Sequence, residues 1–208
     1  VHRDALSLTG RKVLFLQLPR ARDLGPILLA WVASIGILVL QRDLGTSLLF
    51  FGLFVAVLYV STERVSWIVL GLLMFSAAAV FAATTMSHVA ARVDIWLNPF
   101  TAENRTGASF QLVQGLVGLA QGGLIGTGLG QGRPYITPLA ENDYIFPSLG
   151  EELGLIGVFA ILALYMVFSS RGIRIGVAGQ DDFGKLLAVG LSFTIALQVF
   201  IMVGGVTR

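Results

Sequence analysis

Read for hydropathy alone, the chain alternates long apolar runs with short polar turns. Five runs, roughly residues 24–41, 45–61, 66–86, 150–169 and 186–206, have the length of membrane-crossing helices. The pattern predicts an all-α fold, a polytopic membrane helical bundle. Start signals accompany several runs. Asp23 and Pro26 precede and open the first. Asp43, with Gly45 and Thr46, suits a turn and cap before the second. Ser148 followed three residues later by Glu151 has capping-box spacing at the fourth. The stretch 87–149 is different. It carries Arg92, Asp94, Glu103, Arg105, Arg133, Glu141 and Asp143, with Pro99, Pro134 and Pro138. It is too apolar for disorder, and a connection this long is usually functional.

Composition sharpens this picture. The 208 residues are 55% hydrophobic and 12% charged, against roughly a quarter charged in soluble domains, and the mean hydropathy is +0.82. With no cysteine, disulfides and thiolate metal sites are excluded, and His2 and His88 cannot form an HExxH zinc site. A net charge of +2 gives no argument for nucleic acid as a partner. The chain begins at valine and stops directly after an apolar run, so it is expected to be a fragment with both termini truncated. Nine of the fourteen Lys and Arg residues lie in the segments 1–23, 62–65 and 170–185. Five spans put all three segments on one side, which the positive-inside rule makes cytoplasmic, and 87–149 then becomes a large extracytoplasmic loop.

Within that loop, GLVGLAQGGLIGTGLGQG (115–132) places Gly118, Gly122, Gly126 and Gly130 four apart. On a helix this predicts a smooth ridge for close backbone approach. A sixth span here would turn the cations of 170–185 outward, so the stretch is expected to dip into the membrane or lie along it, its backbone covered by protein. The glycines do not have nucleotide-loop spacing, and no Lys-Ser/Thr follows.

The acidic stretch ITPLAENDYIFPSLGEELGLIG (136–157) holds the candidate chemistry. Asp143, flanked by Tyr144, Ile145 and Phe146, reads as a partly desolvated carboxylate with a raised pKa, a general base, or as a turn residue before Pro147. Glu151 reads as the capping glutamate, while Glu152 faces substrate or solvent. Arg133 and Arg92 suit phosphate oxygens or headgroup anchoring. Gln111 and Gln114 share a helix face and suit sugar hydrogen bonds or a polar face toward water.

Four stretches together resemble the SEDS family, the FtsW/RodA/SpoVE proteins. They are QRDLGTSLLF (41–50), RVDIWLNPF (92–100), FQLVQGLVGLAQGGLIGTGLG (110–130) and ENDYIFPSLGEELGLIG (141–157), in the family's order. The terminal QVFIMVGGVTR fits as well, and ERV (63–65) and QRD (41–43) are similar to the actinobacterial RodA-like branch. The resemblance implies a fold of roughly ten spans and a peptidoglycan glycosyltransferase in the bacterial cytoplasmic membrane. Such an enzyme polymerises lipid II at the outer face with inversion, for elongation or division, beside a class B penicillin-binding protein. It places the family's essential aspartate on Asp143. Arg133, Arg92 and a divalent cation, Mg or Mn, are candidates for steadying the pyrophosphate; no metal ligand is assigned. The alternatives are a lipid II flippase and a non-catalytic scaffold for a penicillin-binding protein.

The chain departs from the family pattern at several positions. Arg42 replaces a common proline, and Asn142 a threonine. Leu139 and Glu141 stand where glutamate and histidine are common, and Arg133 stands for a lysine. The more acidic surroundings are expected to raise the pKa of Asp143. The family's early helices and its serine-tyrosine-glycine-glycine motif have no counterpart here.

Overall fold

The computed structural model of the protein describes residues 11–13, 16–18, 29, 32, 36, 44–101, 106–107 and 109–207. The bounded helices are α1 (Leu44–Thr62), α2 (Ser66–Thr85), α3 (Ser87–Leu97), α4 (Phe110–Gly122), α5 (Ile145–Ala178) and α6 (Asp182–Thr207). A two-stranded antiparallel hairpin, β1 (Arg11–Val13) and β2 (Leu16–Leu18), with Lys12 opposite Gln17, is the one departure from an all-helical fold among the described residues. The eight-residue stretch RKVLFLQL is too short to cross a membrane. Of the first expected span only Leu29, Val32 and Gly36 are described, all helical; Asp43 lies outside the described residues.

The helices follow the apolar runs. Three contain stretches long and apolar enough to cross a membrane, 68–85 in α2 and the whole of α5 and α6, and 45–61 of α1 is a shorter apolar helix. Their ends are set by local chemistry rather than by hydropathy. α6 begins four residues before the expected position because Asp181 caps it, its carboxylate accepting from the Gly184 N–H at 2.7 Å. α5 runs on to Ala178, beyond the expected end at 169, so only a short turn separates it from α6. It also starts early, at Ile145. Pro147 then falls in the first turn, where a missing N–H costs no helical bond.

Two compact units emerge. The first comprises 1–77 and 168–198, the second 78–167 and 199–208. In the first, Phe51 of α1 and Phe75 of α2 meet with ring centres 5.9 Å apart. Gly52 faces Leu197, Gly71 faces Val55, and Gly176 faces Val189. In the second, Val89, Leu112, Val113, Ala140, Val158 and Val206 are buried, and the Trp96 indole donates to the Gly204 carbonyl at 3.2 Å. The candidate site lies wholly in this second unit.

Candidate functional site

The site grows from the packing of α4 on the start of α5. Gly115, Gly118 and Gly122 lie on the buried face of α4. Gly115 faces the Tyr144 ring and Pro147, Gly118 the Glu151 carboxylate, and Gly122 the Gly150 carbonyl. The expected ridge of Gly118, Gly122, Gly126 and Gly130 is therefore corrected. The helix stops at Gly122, and Gly126 and Gly130 lie in the following loop with φ of 89° and 71°. Glycines this dense do not sustain a helix, each costing about 1 kcal/mol relative to alanine.

That loop is docked into a break in α5. Gly154 has φ 68° and ψ −177°, a region essentially closed to side chains. In an unbroken helix the Leu155 and Ile156 N–H groups would bond the carbonyls of Glu151 and Glu152. Instead Leu155 donates to the Gly123 carbonyl at 3.0 Å and Ile156 to the Leu124 carbonyl at 3.1 Å. The carbonyl of Glu151 accepts from the Thr127 N–H at 3.0 Å and from the Thr127 hydroxyl at 3.1 Å. The carbonyl of Glu152 accepts from the Gly128 N–H at 3.0 Å. Backbone groups freed by the break are thus satisfied by the loop, and the reverse.

Beyond the loop the chain returns across the start of α5. Glu151 is buried, and its Oε1 accepts from the Arg133 backbone N–H at 2.8 Å. The expected capping box is not formed. Ser148 lies inside the first turn of α5, its hydroxyl donating to the carbonyls of Tyr144 at 3.0 Å and Ala140 at 3.4 Å. Glu151 consequently anchors a neighbouring segment instead of closing its own helix. From Arg133 the chain enters a 3-10 turn, Pro134–Ile136. Gln111 holds the stretch after this turn, its amide donating to the Pro138 carbonyl at 2.7 Å. The Gln111 N–H expected to meet sugar is therefore used within the protein, while Gln114 is half-buried on the same helix.

These ties frame an open cavity of about 320 Å³, lined by Pro134, Tyr135, Ala140, Glu141, Ile145, Ser148, Leu149 and Glu152. Its wall is apolar with two carboxylates, Glu141 and Glu152. Asp143 sits in the turn before α5, where Leu139 takes a positive φ of 55° and accepts from the Asn142 N–H at 3.0 Å. Asp143 is exposed, so the dehydration expected from its apolar neighbours is not observed. Of those neighbours, Tyr144 and Phe146 are half-buried, while Ile145 is itself exposed. Tyr144 packs under α4, and burial, then the charge of Asp143, raises its phenol pKa above the ordinary value. The side chains of Arg133 and of Arg92 on α3 are exposed, and neither of them, nor Asp143, is among the lining residues. Arg105 lies outside the described residues. Among the described residues, no three His, Cys, Asp or Glu side chains gather as a metal site.

No pattern in the residues singled out Tyr135, or the pairing of Glu141 with Glu152. The two glutamates are eleven positions apart and line one cavity because the turn before α5 folds back beside that helix.

A family model for FtsW/RodA/SpoVE, described as cell cycle protein, matches residues 12–208. The chain is 49% identical to the peptidoglycan glycosyltransferase RodA of Mycobacterium tuberculosis, over 99% of this chain and 44% of that protein. It is 37% identical to the stage V sporulation protein E of Bacillus subtilis, over 82% of this chain and 46% of the relative. A probable peptidoglycan glycosyltransferase FtsW of Geobacter metallireducens is 34% identical, over 88% and 48%. The chain thus spans about half the length of the curated relatives it matches.

Proposed function

The chain belongs to the FtsW/RodA/SpoVE family, and on that premise we propose that it carries the outer-face site of a peptidoglycan glycosyltransferase that polymerises lipid II. The observation that supports this most directly is the cavity itself. A largely apolar recess carries two carboxylates, and its lining residues flank Asp143 and Arg133 in sequence, although neither of these lines it. Such a recess suits a sugar with an apolar face and several hydroxyls.

In the proposed reaction the acceptor hydroxyl attacks the anomeric carbon of the donor sugar. The new C–O bond forms as the bond to pyrophosphate breaks on the opposite face. Asp143 takes the hydroxyl proton, and the pyrophosphate leaves on its isoprenoid. The exposure of Asp143 leaves its oxygens free to reach a substrate hydroxyl. General-base help of this kind contributes about 10²- to 10⁴-fold. The guanidinium of Arg133 offers paired donors to the leaving phosphates. Glu141 and Glu152 accept from sugar hydroxyls. Among the described residues no three His, Cys, Asp or Glu side chains gather to hold a divalent ion, and no step is routed through one here.

The broken helix also bears on the flippase alternative. Transporters use the polar groups of broken helices to hold cargo. Here the break at Gly154 has four of its backbone groups already paired with the loop. A class B penicillin-binding protein as partner, and an extracytoplasmic active face, complete the reading.

The test is glycan-strand synthesis from labelled lipid II by the full-length protein with its penicillin-binding partner. Asp143→Ala is expected to lower the rate at least about 100-fold while folding and complex assembly persist. Synthesis near the unmodified rate would remove Asp143 as the base. Vesicles carrying lipid II only on the outer leaflet separate polymerisation from transport.

A further inference from the structure

We propose that the loop 123–130 is a re-entrant membrane segment whose tip, Leu124, Ile125 and Leu129, lies among the acyl chains of the lipid bilayer. The placement rests on the groups to which the loop is bonded. Between Glu152 and Arg171 stand eighteen residues, none charged, about the number a helix needs to cross hydrocarbon. Gly123 and Leu124 accept from the N–H groups of Leu155 and Ile156, the third and fourth residues of that uncharged run. At about 1.5 Å per residue the bonded part of the loop lies about 5 Å inside the run.

Irregular backbone survives at such depth only where protein satisfies its polar groups. The loop meets that condition at Gly123, Leu124, Gly126, Thr127 and Gly128. Gly126 donates to Gly122 at 2.7 Å, Thr127 and Gly128 donate to the two glutamate carbonyls at 3.0 Å, and Gln131 donates to Gly128 at 3.0 Å. The Thr127 hydroxyl is also used. The outer surface of the loop is apolar. Leu124, Ile125 and Leu129 are 67%, 81% and 74% exposed. Three large aliphatic side chains on a loop are costly in water and neutral in hydrocarbon. The polar chain resumes at Gln131 and Arg133, at the level where headgroups begin. Lipid is thus the partner whose chemistry matches both the depth and the surface, independently of the reaction proposed above.

The experiment is site-directed spin labelling of the full-length protein in phosphatidylcholine–phosphatidylglycerol vesicles. Any native cysteines elsewhere in the full-length chain are first replaced by serine; residues 1–208 contain none. Ile125→Cys is labelled and compared with Tyr135→Cys, which is 79% exposed on the cavity rim. Collision with oxygen and with a water-soluble nickel chelate is measured by power saturation. Lipid contact predicts that Ile125 is at least about threefold more accessible to oxygen relative to nickel than Tyr135 is. Nickel accessibility equal to that of Tyr135 places the tip in water and overturns the proposal. Low accessibility to both reagents places it under another part of the protein and overturns it equally. Leu129→Cys gives a second reading if the first variant does not reconstitute.

Discussion

Helix packing in the first unit and the brace beside the cavity in the second set glycine against different partners. In the first, Gly52, Gly71 and Gly190 on packed helices face side chains. Gly190 has Leu53 and Val57 in ordinary contact at 3.8 and 3.9 Å, and Gly52 faces the flexible end of Leu197. In the second, Gly115, Gly118 and Gly150 also face side chains, but the three glycines of the brace face backbone. Gly122 meets the Gly150 carbonyl, Gly126 the Glu152 carbonyl, and Gly154 the backbone of Leu124, Ile125 and Gly126. A side chain can rotate aside, whereas a hydrogen-bonded carbonyl cannot. Close packing at Gly52 and Gly190 is therefore adjustable, while the brace beside the cavity is fixed by main-chain contacts that leave no room for a Cβ.

The largest expected effect tests that difference. Gly154→Ala places a methyl in backbone and forces a conformation that costs about 1–3 kcal/mol by itself. Gly154→Ala and Gly126→Ala should each destabilise the detergent-solubilised protein by about 3 kcal/mol or more, seen as a large fall in thermal midpoint or loss of folded yield. Gly190→Ala should stay within about 1 kcal/mol, because helix propensity gained offsets the contact made. Similar losses from Gly154→Ala and Gly190→Ala would erase the distinction between the units.

A smaller effect is expected at Glu151, which ties the cavity wall to the braced helix. Glu151→Ala removes the acceptor for the Arg133 N–H and should cost about 1–3 kcal/mol, measured as a shift in thermal midpoint. Glu151→Gln keeps an acceptor oxygen and should recover most of that loss. If alanine and glutamine are equally harmful, charge rather than the hydrogen bond to Arg133 sets the role.

The smallest effect concerns Tyr144. Its phenol holds its proton more tightly in the folded protein than the ordinary value of 10.0. The stability this contributes is complete below pH 10 and is lost as pH rises through the higher folded value. Ultraviolet titration, taken as the difference from Tyr144→Phe, should give a midpoint above 10.0. Asp143→Asn should lower that midpoint without bringing it back to 10.0, since burial is the larger cause. A full return would mean that Tyr144 does not pack under α4 as described.

Much of this was legible from residues. The apolar runs marked α1, α2, α5 and α6, because a run of about twenty greasy residues has few alternatives to a helix. The acidic stretch before α5 marked the neighbourhood of the site, and its motifs pointed to the family. Less legible were the roles of individual polar groups. Ser148 and Glu151 have capping-box spacing but do not form the box, since Pro147 fits the first turn and lets the helix start at Ile145. Asp143 looked dehydrated from its neighbours in sequence, yet Tyr144 packs under α4 and Asp143 is left exposed.

Hydropathy and propensity act over neighbouring residues, so the order of residues was enough to set where helices form and which stretch is too polar to be plain membrane. The break of α5 at Gly154 was settled only by the folded chain. A helix surrenders two of its own hydrogen bonds only when other donors and acceptors stand ready, and here they come from a loop some thirty residues earlier in the chain. No local pattern encodes that exchange. It exists because Gly122, Gly126 and Gly154 let two backbones come within bonding distance.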